Sequence, residues 1–203
     1  VRVDAAAGTQ FVLEARYVPG SAGAAVVAPP HPLYGGTIDN PVVGATLAGL
    51  QDASVATLAF NYRGVEDSDG VASDSIEASV ADYTAALAEL ASRTPGPYYA
   101  AGYSFGAGTA LLAVRDDPRV VGLVLIAPPV GMLHAEDLRA FRGSLLVVVG
   151  EVDDYAPLGE LTATLKARPE AALVVMPGAD HFFHFGGLAE LGQIVATHVR
   201  GWL

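Results

Sequence analysis

The chain predicts an α/β fold, a mostly parallel twisted sheet flanked by helices. Short apolar, β-rich runs alternate with longer helical patterns, which is the rhythm of a parallel sheet. Most of these runs are continuously apolar rather than alternating, as strands covered on both faces must be. Gly and Pro, 23 and 13 in number, cluster where the runs stop.

Along the 203 residues, Thr9–Val18 alternates like a half-buried strand. Ala24–Ala28, Val55–Phe60, Tyr98–Tyr103, Val120–Ala127, Leu145–Val149 and Ala172–Met176 are apolar runs stopped by Pro, Gly or Asn. Asn40 before Pro41 is a cap and first-turn pair that opens a helix over Pro41–Leu50. Ser75–Ser92 carries Ile76, Val80, Tyr83, Ala86, Leu87 and Leu90 at the spacing of one buried stripe. Gly106–Val114, Leu158–Ala167 and Leu188–Leu203 complete the helices. No repeat, low-complexity tract or linker divides the chain, so residues 1–203 are expected to form one domain.

Composition excludes several classes of function. With 11 Lys+Arg against 22 Asp+Glu, the net charge of −11 repels phosphate backbones and anionic lipid, so neither nucleic acid nor a membrane surface is an expected partner. The absence of cysteine removes disulfides, thiol nucleophiles and thiolate metal sites together. The most apolar stretch, Val120–Met132, contains two prolines and falls short of the roughly 20 residues a spanning helix needs. The first ten residues have an early acid and no apolar core of signal-peptide length. A cytoplasmic protein is the default expectation.

Chemistry concentrates in the loops after the apolar runs, where ligands of open α/β sheets bind. Gly102-Tyr103-Ser104-Phe105-Gly106 has the form G-x-S-x-G, follows a strand and leads into a helix. In that context the glycines permit a sharp strand-to-helix turn that leaves the Ser104 hydroxyl standing above the sheet. The rival readings fail on residues: a dinucleotide fingerprint would need a third glycine at Leu111, and no Gly-Lys-Ser/Thr phosphate loop occurs.

A serine needs a base to take its proton. Of the five histidines, His181 lies in Pro177-Gly178-Ala179-Asp180-His181, just after the last apolar run, where a base should be displayed; His184 is its competitor. His134 lacks a clear partner, and His198 sits in the last helix. The base in turn needs an acid, and Asp153 and Asp154 in the loop after Leu145–Val149 are equal candidates by position. The chain order of serine, acid and histidine is that of one serine-hydrolase arrangement and differs from the others.

Two backbone donors should face the oxyanion of an acyl-transfer reaction. One is the Phe105 N–H, next after the nucleophile. The other should come from Pro29-Pro30-His31-Pro32-Leu33-Tyr34-Gly35-Gly36. Prolines have no N–H, which leaves His31 first and Leu33 second, with His31 preferred.

These segments, with Asp39-Asn40-Pro41-Val42-Val43, Asn61-Tyr62-Arg63-Gly64-Val65, Ala127-Pro128-Pro129 and Gly178-Ala179-Asp180-His181-Phe182-Phe183, resemble over nearly the whole chain the small, lidless bacterial α/β-hydrolases related to the dienelactone hydrolase-like group. The resemblance implies Ser104 as nucleophile, His181 as base and Asp153 as acid, its place between Gly150 and Pro157 breaking the tie with Asp154. The chain departs from the group at Pro29, where a histidine is usual, and at Glu66-Asp67, where glycine usually follows.

Three roles filled in order at strand ends lead to the expectation of a serine hydrolase that cleaves carboxylic esters or thioesters through an acyl-enzyme on Ser104 with no metal or cofactor; the resemblance itself fixes no substrate. Lids in this fold enter between the sixth and seventh strands, and Pro128–Gly143 has room for one short helix, so no cap domain and small acyl groups are expected. Tyr34, Leu33, Tyr155 and Phe182 are candidate substrate contacts, and Tyr62, Phe105, Met132 and Leu133 further candidate walls. A non-catalytic binder on the same scaffold, or a peptidase or acyltransferase with the same triad, are the alternatives.

Overall fold

In the computed structural model, which describes residues 2–4, 12–184 and 187–203, the strands and helices fall close to the predicted runs. The strands are β1 (Arg2–Asp4), β2 (Val12–Val18), β3 (Ala24–Ala28), β4 (Ala56–Phe60), β5 (Tyr98–Tyr103), β6 (Val120–Ile126), β7 (Ser144–Gly150) and β8 (Ala172–Met176). The helices are α1 (Pro41–Asp52), α2 (Ile76–Arg93), α3 (Phe105–Val114), α4 (Ala135–Ala140), α5 (Leu158–Leu165) and α6 (Leu188–Arg200).

Among the described residues the strands form one sheet in the order β1-β2-β4-β3-β5-β6-β7-β8. The first two are antiparallel to their neighbours and β3 to β8 run parallel. Strand order therefore reverses at β3, which lies between β4 and β5. A crevice opens beyond the carboxyl ends of strands at such a switch point, and the loops there are those that follow β3 and β5.

Period-2 geometry explains why the central runs are apolar throughout. Ala24, Val26 and Ala28 of β3 enter one core with Tyr83 and Leu87 of α2 and Leu111 and Val114 of α3. Ala25 and Val27 enter the other with Val42, Val43 and Leu50 of α1 and Val195 and Val199 of α6. Leu123 and Leu125 against Val124 and Ile126 divide β6 in the same way. With both faces covered, β3 carries no polar residue, and buried Thr57 of β4 is bonded to Gln51 at 3.0 Å.

Caps set the helix starts. Asn40 Oδ1 accepts the Val42 N–H at 2.9 Å ahead of Pro41, and Ser75 Oγ accepts the Ala78 N–H at 3.1 Å, each satisfying an orphan donor of the first turn. Boundaries differ from expectation by local geometry. β6 stops before Ala127, which turns with φ +45°, and α6 ends at Arg200, three residues short of the predicted end. Of the predicted strand Thr9–Val18, residues 9–11 lie outside the described residues. β1, at three residues, is too short to show a pattern.

Two side chains of α2 fix the strands that carry the crevice. The Tyr83 hydroxyl donates to Val26 O at 2.9 Å and accepts the Ala101 N–H at 3.1 Å, tying β3 to β5. Asp82, wholly buried, takes the Arg63 backbone N–H at 3.0 Å and its guanidinium at 2.6 Å, which fixes the loop after β4. Between β6 and β7 the chain makes only a 3₁₀ turn, Val130–Met132, and the six-residue α4, as expected for a site without a lid. No helix among the described residues is long and apolar enough to cross a membrane.

Candidate active site

Ser104 occupies the turn between β5 and α3 with φ +55° and ψ −121°, a conformation that costs a non-glycine residue roughly 1–3 kcal/mol. The flanking glycines hold it there by close approach. A Cβ on Gly102 would lie 2.1 Å from Gly106 O, and one on Gly106 would lie 2.3 Å from Pro29 O, so the turn can pack against itself and against the loop after β3 only without side chains. Ser104 stands at the N-cap of α3 yet makes no side-chain cap bond. Its Oγ instead lies 2.8 Å from His181 Nε2.

His181 is buried, and its Nδ1 lies 2.9 Å from both carboxylate oxygens of Asp153. Asp153 has no side-chain exposure, and its Oδ1 also accepts the Tyr155 N–H at 2.8 Å and the Ala156 N–H at 3.0 Å. These bonds orient the carboxylate toward the imidazole. Asp154, the equal candidate by spacing, is exposed. His184 is exposed and pairs with Asp180 at 2.8 Å, away from Ser104. The three side chains singled out in the sequence thus meet across β5, β7 and β8.

A residue that sequence reasoning passed over completes the frame. The Tyr103 hydroxyl, buried under the site, donates to His181 O at 3.0 Å. Burial, with the charges of Asp153 and Asp180, raises its pKa well above the ordinary phenol value, so it remains a donor. The only signal in the sequence was an aromatic ring at the variable second position of G-x-S-x-G.

On the opposite side, the loop after β3 packs on the elbow. The Phe105 N–H, at the first position of α3, has no intrahelical acceptor. The His31 N–H likewise finds no acceptor among the described residues. The Leu33 N–H donates to His31 Nδ1 at 3.2 Å. That bond needs an unprotonated Nδ1. Burial pushes the His31 pKa down, opposed by the nearby Asp74, and so favours the neutral ring.

The aromatic candidates divide into two groups. The His31 ring lies 4.5 Å from Phe105 and 4.6 Å from Tyr34; the His181 ring lies 4.5 Å from Tyr155 and 5.2 Å from Phe182. Leu33, Tyr34, Tyr155 and Phe182 are all exposed. Tyr62 and Leu133 are core residues instead: the Tyr62 hydroxyl shares a 2.6 Å hydrogen bond with Thr109, and its ring backs Phe105 edge-on at 5.9 Å. Met132 packs across Gly108 of α3. Tyr62 and Met132 thus pack against α3.

A parallel sheet with this strand order, with a serine elbow facing a histidine at its switch point, defines an α/β serine hydrolase. Residues 42–153 match the hydrolase family described as serine aminopeptidase S33, and the chain belongs to that family. It is 29% identical over 192 residues to an uncharacterized protein of Rickettsia prowazekii, covering 88% of this chain and 80% of that protein. Among solved structures it is similar to a lidless α/β serine hydrolase from Xanthomonas campestris, at 26% identity and TM-score 0.85 over 100% of this chain and 94% of that one. It is also similar to an α/β serine hydrolase homologue from Coxiella burnetii, at 29% identity and TM-score 0.81 over 94% and 92% of the two chains.

Proposed function

We propose that the protein hydrolyses small carboxylic esters or thioesters through an acyl-enzyme on Ser104. The observation that carries this reading is the continuous chain from Ser104 Oγ through the His181 ring to Asp153, with contacts of 2.8 and 2.9 Å. His181 Nε2 takes the Ser104 proton as Oγ attacks the carbonyl carbon. Asp153 holds Nδ1 protonated and stabilises the imidazolium that forms. The N–H groups of Phe105 and His31 receive the oxyanion, where loss of one donor costs about 2.7–4 kcal/mol of transition-state stabilisation. Water activated by His181 then releases the acid.

The short connection between β6 and β7 supports small acyl groups, because nothing there covers a long chain. The family's description favours one second reading, cleavage of an aminoacyl amide by the same residues. A panel of acetyl, butyryl and long-chain p-nitrophenyl esters, an acyl thioester and an aminoacyl p-nitroanilide separates the two. The expected result is turnover of the short esters, slower turnover of long ones, and loss of all activity in Ser104→Ala. Preference for the anilide would favour the peptidase reading, and turnover of none would count for a non-catalytic binder.

A further inference from the structure

We infer that the leaving-group side of this site takes an uncharged aromatic alcohol, so that the substrates join a small acyl group to a benzyl- or aryl-type alcohol. This rests on the serine-hydrolase reading and adds a substrate class to it. In acylation, Ser104 Oγ bonds to the carbonyl carbon and its proton moves to His181 Nε2. The C–O bond to the alcohol then breaks, the electron pair leaves on the alcohol oxygen, and that oxygen receives the proton from Nε2. The departing group must therefore lie against the His181 ring while the carbonyl oxygen faces Phe105 and His31.

Two aromatic rings flank the imidazole. Tyr155 lies 4.5 Å from it and tilted, and Phe182 lies 5.2 Å from it and edge-on. The two rings meet each other at 6.3 Å and 81°, forming a corner beside the base. They are 58% and 51% exposed, so each keeps apolar surface that a planar ligand would cover. The main chain that carries both is held by the site's own residues. The Tyr155 N–H is bonded to Asp153, and the carbonyl that joins His181 to Phe182 is held by the Tyr103 hydroxyl. With the main chain held, less ordering is left when a ring enters the corner, and offset or edge-to-face contacts add to area burial.

Charge narrows the class. Segments 150–157 and 177–184 contain Glu151, Asp153, Asp154 and Asp180, with no Lys or Arg. These loops carry an acidic excess that no Lys or Arg of their own offsets, so a phosphorylated thiol carrier or a carboxylated alcohol would meet like charge on entering this corner; a neutral ring would not.

The test measures kcat/KM, which reports acylation and therefore the leaving group, for benzyl acetate, cyclohexylmethyl acetate and 4-carboxybenzyl acetate with the intact chain. The first two alcohols are close in size and acidity, and the cyclohexyl compound is the more hydrophobic, so burial alone would favour it. The expected preference for benzyl over cyclohexylmethyl is roughly three- to tenfold, the range ring-on-ring contacts supply. It should fall to about one in the double variant Tyr155→Leu/Phe182→Leu, and the carboxylated ester should react several-fold more slowly than benzyl acetate. Each ratio compares substrates on one preparation, so a partly unfolded variant leaves it unchanged. A wild-type ratio of one or less, with both esters hydrolysed in a Ser104-dependent reaction, would overturn the inference. A preference that survives the double variant would overturn the assignment to this corner. Hydrolysis of neither ester by a chain that turns over short p-nitrophenyl esters would overturn the inference alone; failure on those esters as well would remove the ester-hydrolase reading, and the inference with it.

Discussion

Replacing Asp153 by Asn is expected to lower kcat for ester hydrolysis by about ten-thousand-fold while KM moves little. The volume is conserved, so the effect comes from proton placement. Asp153 Oδ1 accepts the N–H groups of Tyr155 and Ala156 at 2.8 and 3.0 Å, and an amide would keep its oxygen there. Its NH2 would then face His181 Nδ1, which now lies 2.9 Å from both carboxylate oxygens. An NH2 donor forces Nδ1 to accept, so the ring proton moves to Nε2, and a protonated Nε2 cannot take the Ser104 proton. Steady-state kinetics on a short-chain ester, with circular dichroism to confirm folding, checks this. A loss below tenfold would mean that the buried carboxylate does not set the tautomer. The companion variant Asp154→Asn alters an exposed side chain and should retain nearly full activity.

The second large effect concerns the turn itself. Gly102→Ala would bring a methyl group to within 2.1 Å of Gly106 O and 2.7 Å of Ala107 N. Both are backbone atoms at the start of α3, so no rotamer change relieves the overlap. The expected cost is about 3 kcal/mol or more, above the usual overpacking range because strand and helix must separate. For a domain of this size that lowers Tm by roughly 6–12 °C, and activity should fall further as Ser104 leaves its place 2.8 Å from His181. Thermal unfolding of the variant provides the check. An unchanged Tm would show that the turn is less tightly built than these distances require.

How much of this was legible in the sequence depends on the range of the interaction concerned. The central strands could be read because burial on both faces writes itself into consecutive residues, as in Ala24–Ala28 and Tyr98–Tyr103. Helix starts could be read where a cap is local, as at Asn40-Pro41. Ser104 and His181 stood out because a strand end precedes each. Choices between neighbours were less accessible. Asp153 and Asp154 are equivalent by spacing, and only the packing of the β7 loop buries one and exposes the other. The bond from the Leu33 N–H to His31 Nδ1 depends on one rotamer, which sends the imidazole back to its own backbone. Tyr103 joins residues 78 positions apart, and nothing local to it announces that contact. Tyr62, offered as a wall, proved to be support behind Phe105, a distinction that needs three dimensions.

The central claim is that the Ser104 hydroxyl is an activated nucleophile in the folded protein. The most direct measurement treats the native chain with a fluorophosphonate probe and locates the adduct by peptide mass mapping, with heat-denatured protein and Ser104→Ala in parallel. The account predicts one adduct on Ser104 in the native protein and none in either control. No adduct on the native chain, or one on a different residue that persists in Ser104→Ala, would contradict it.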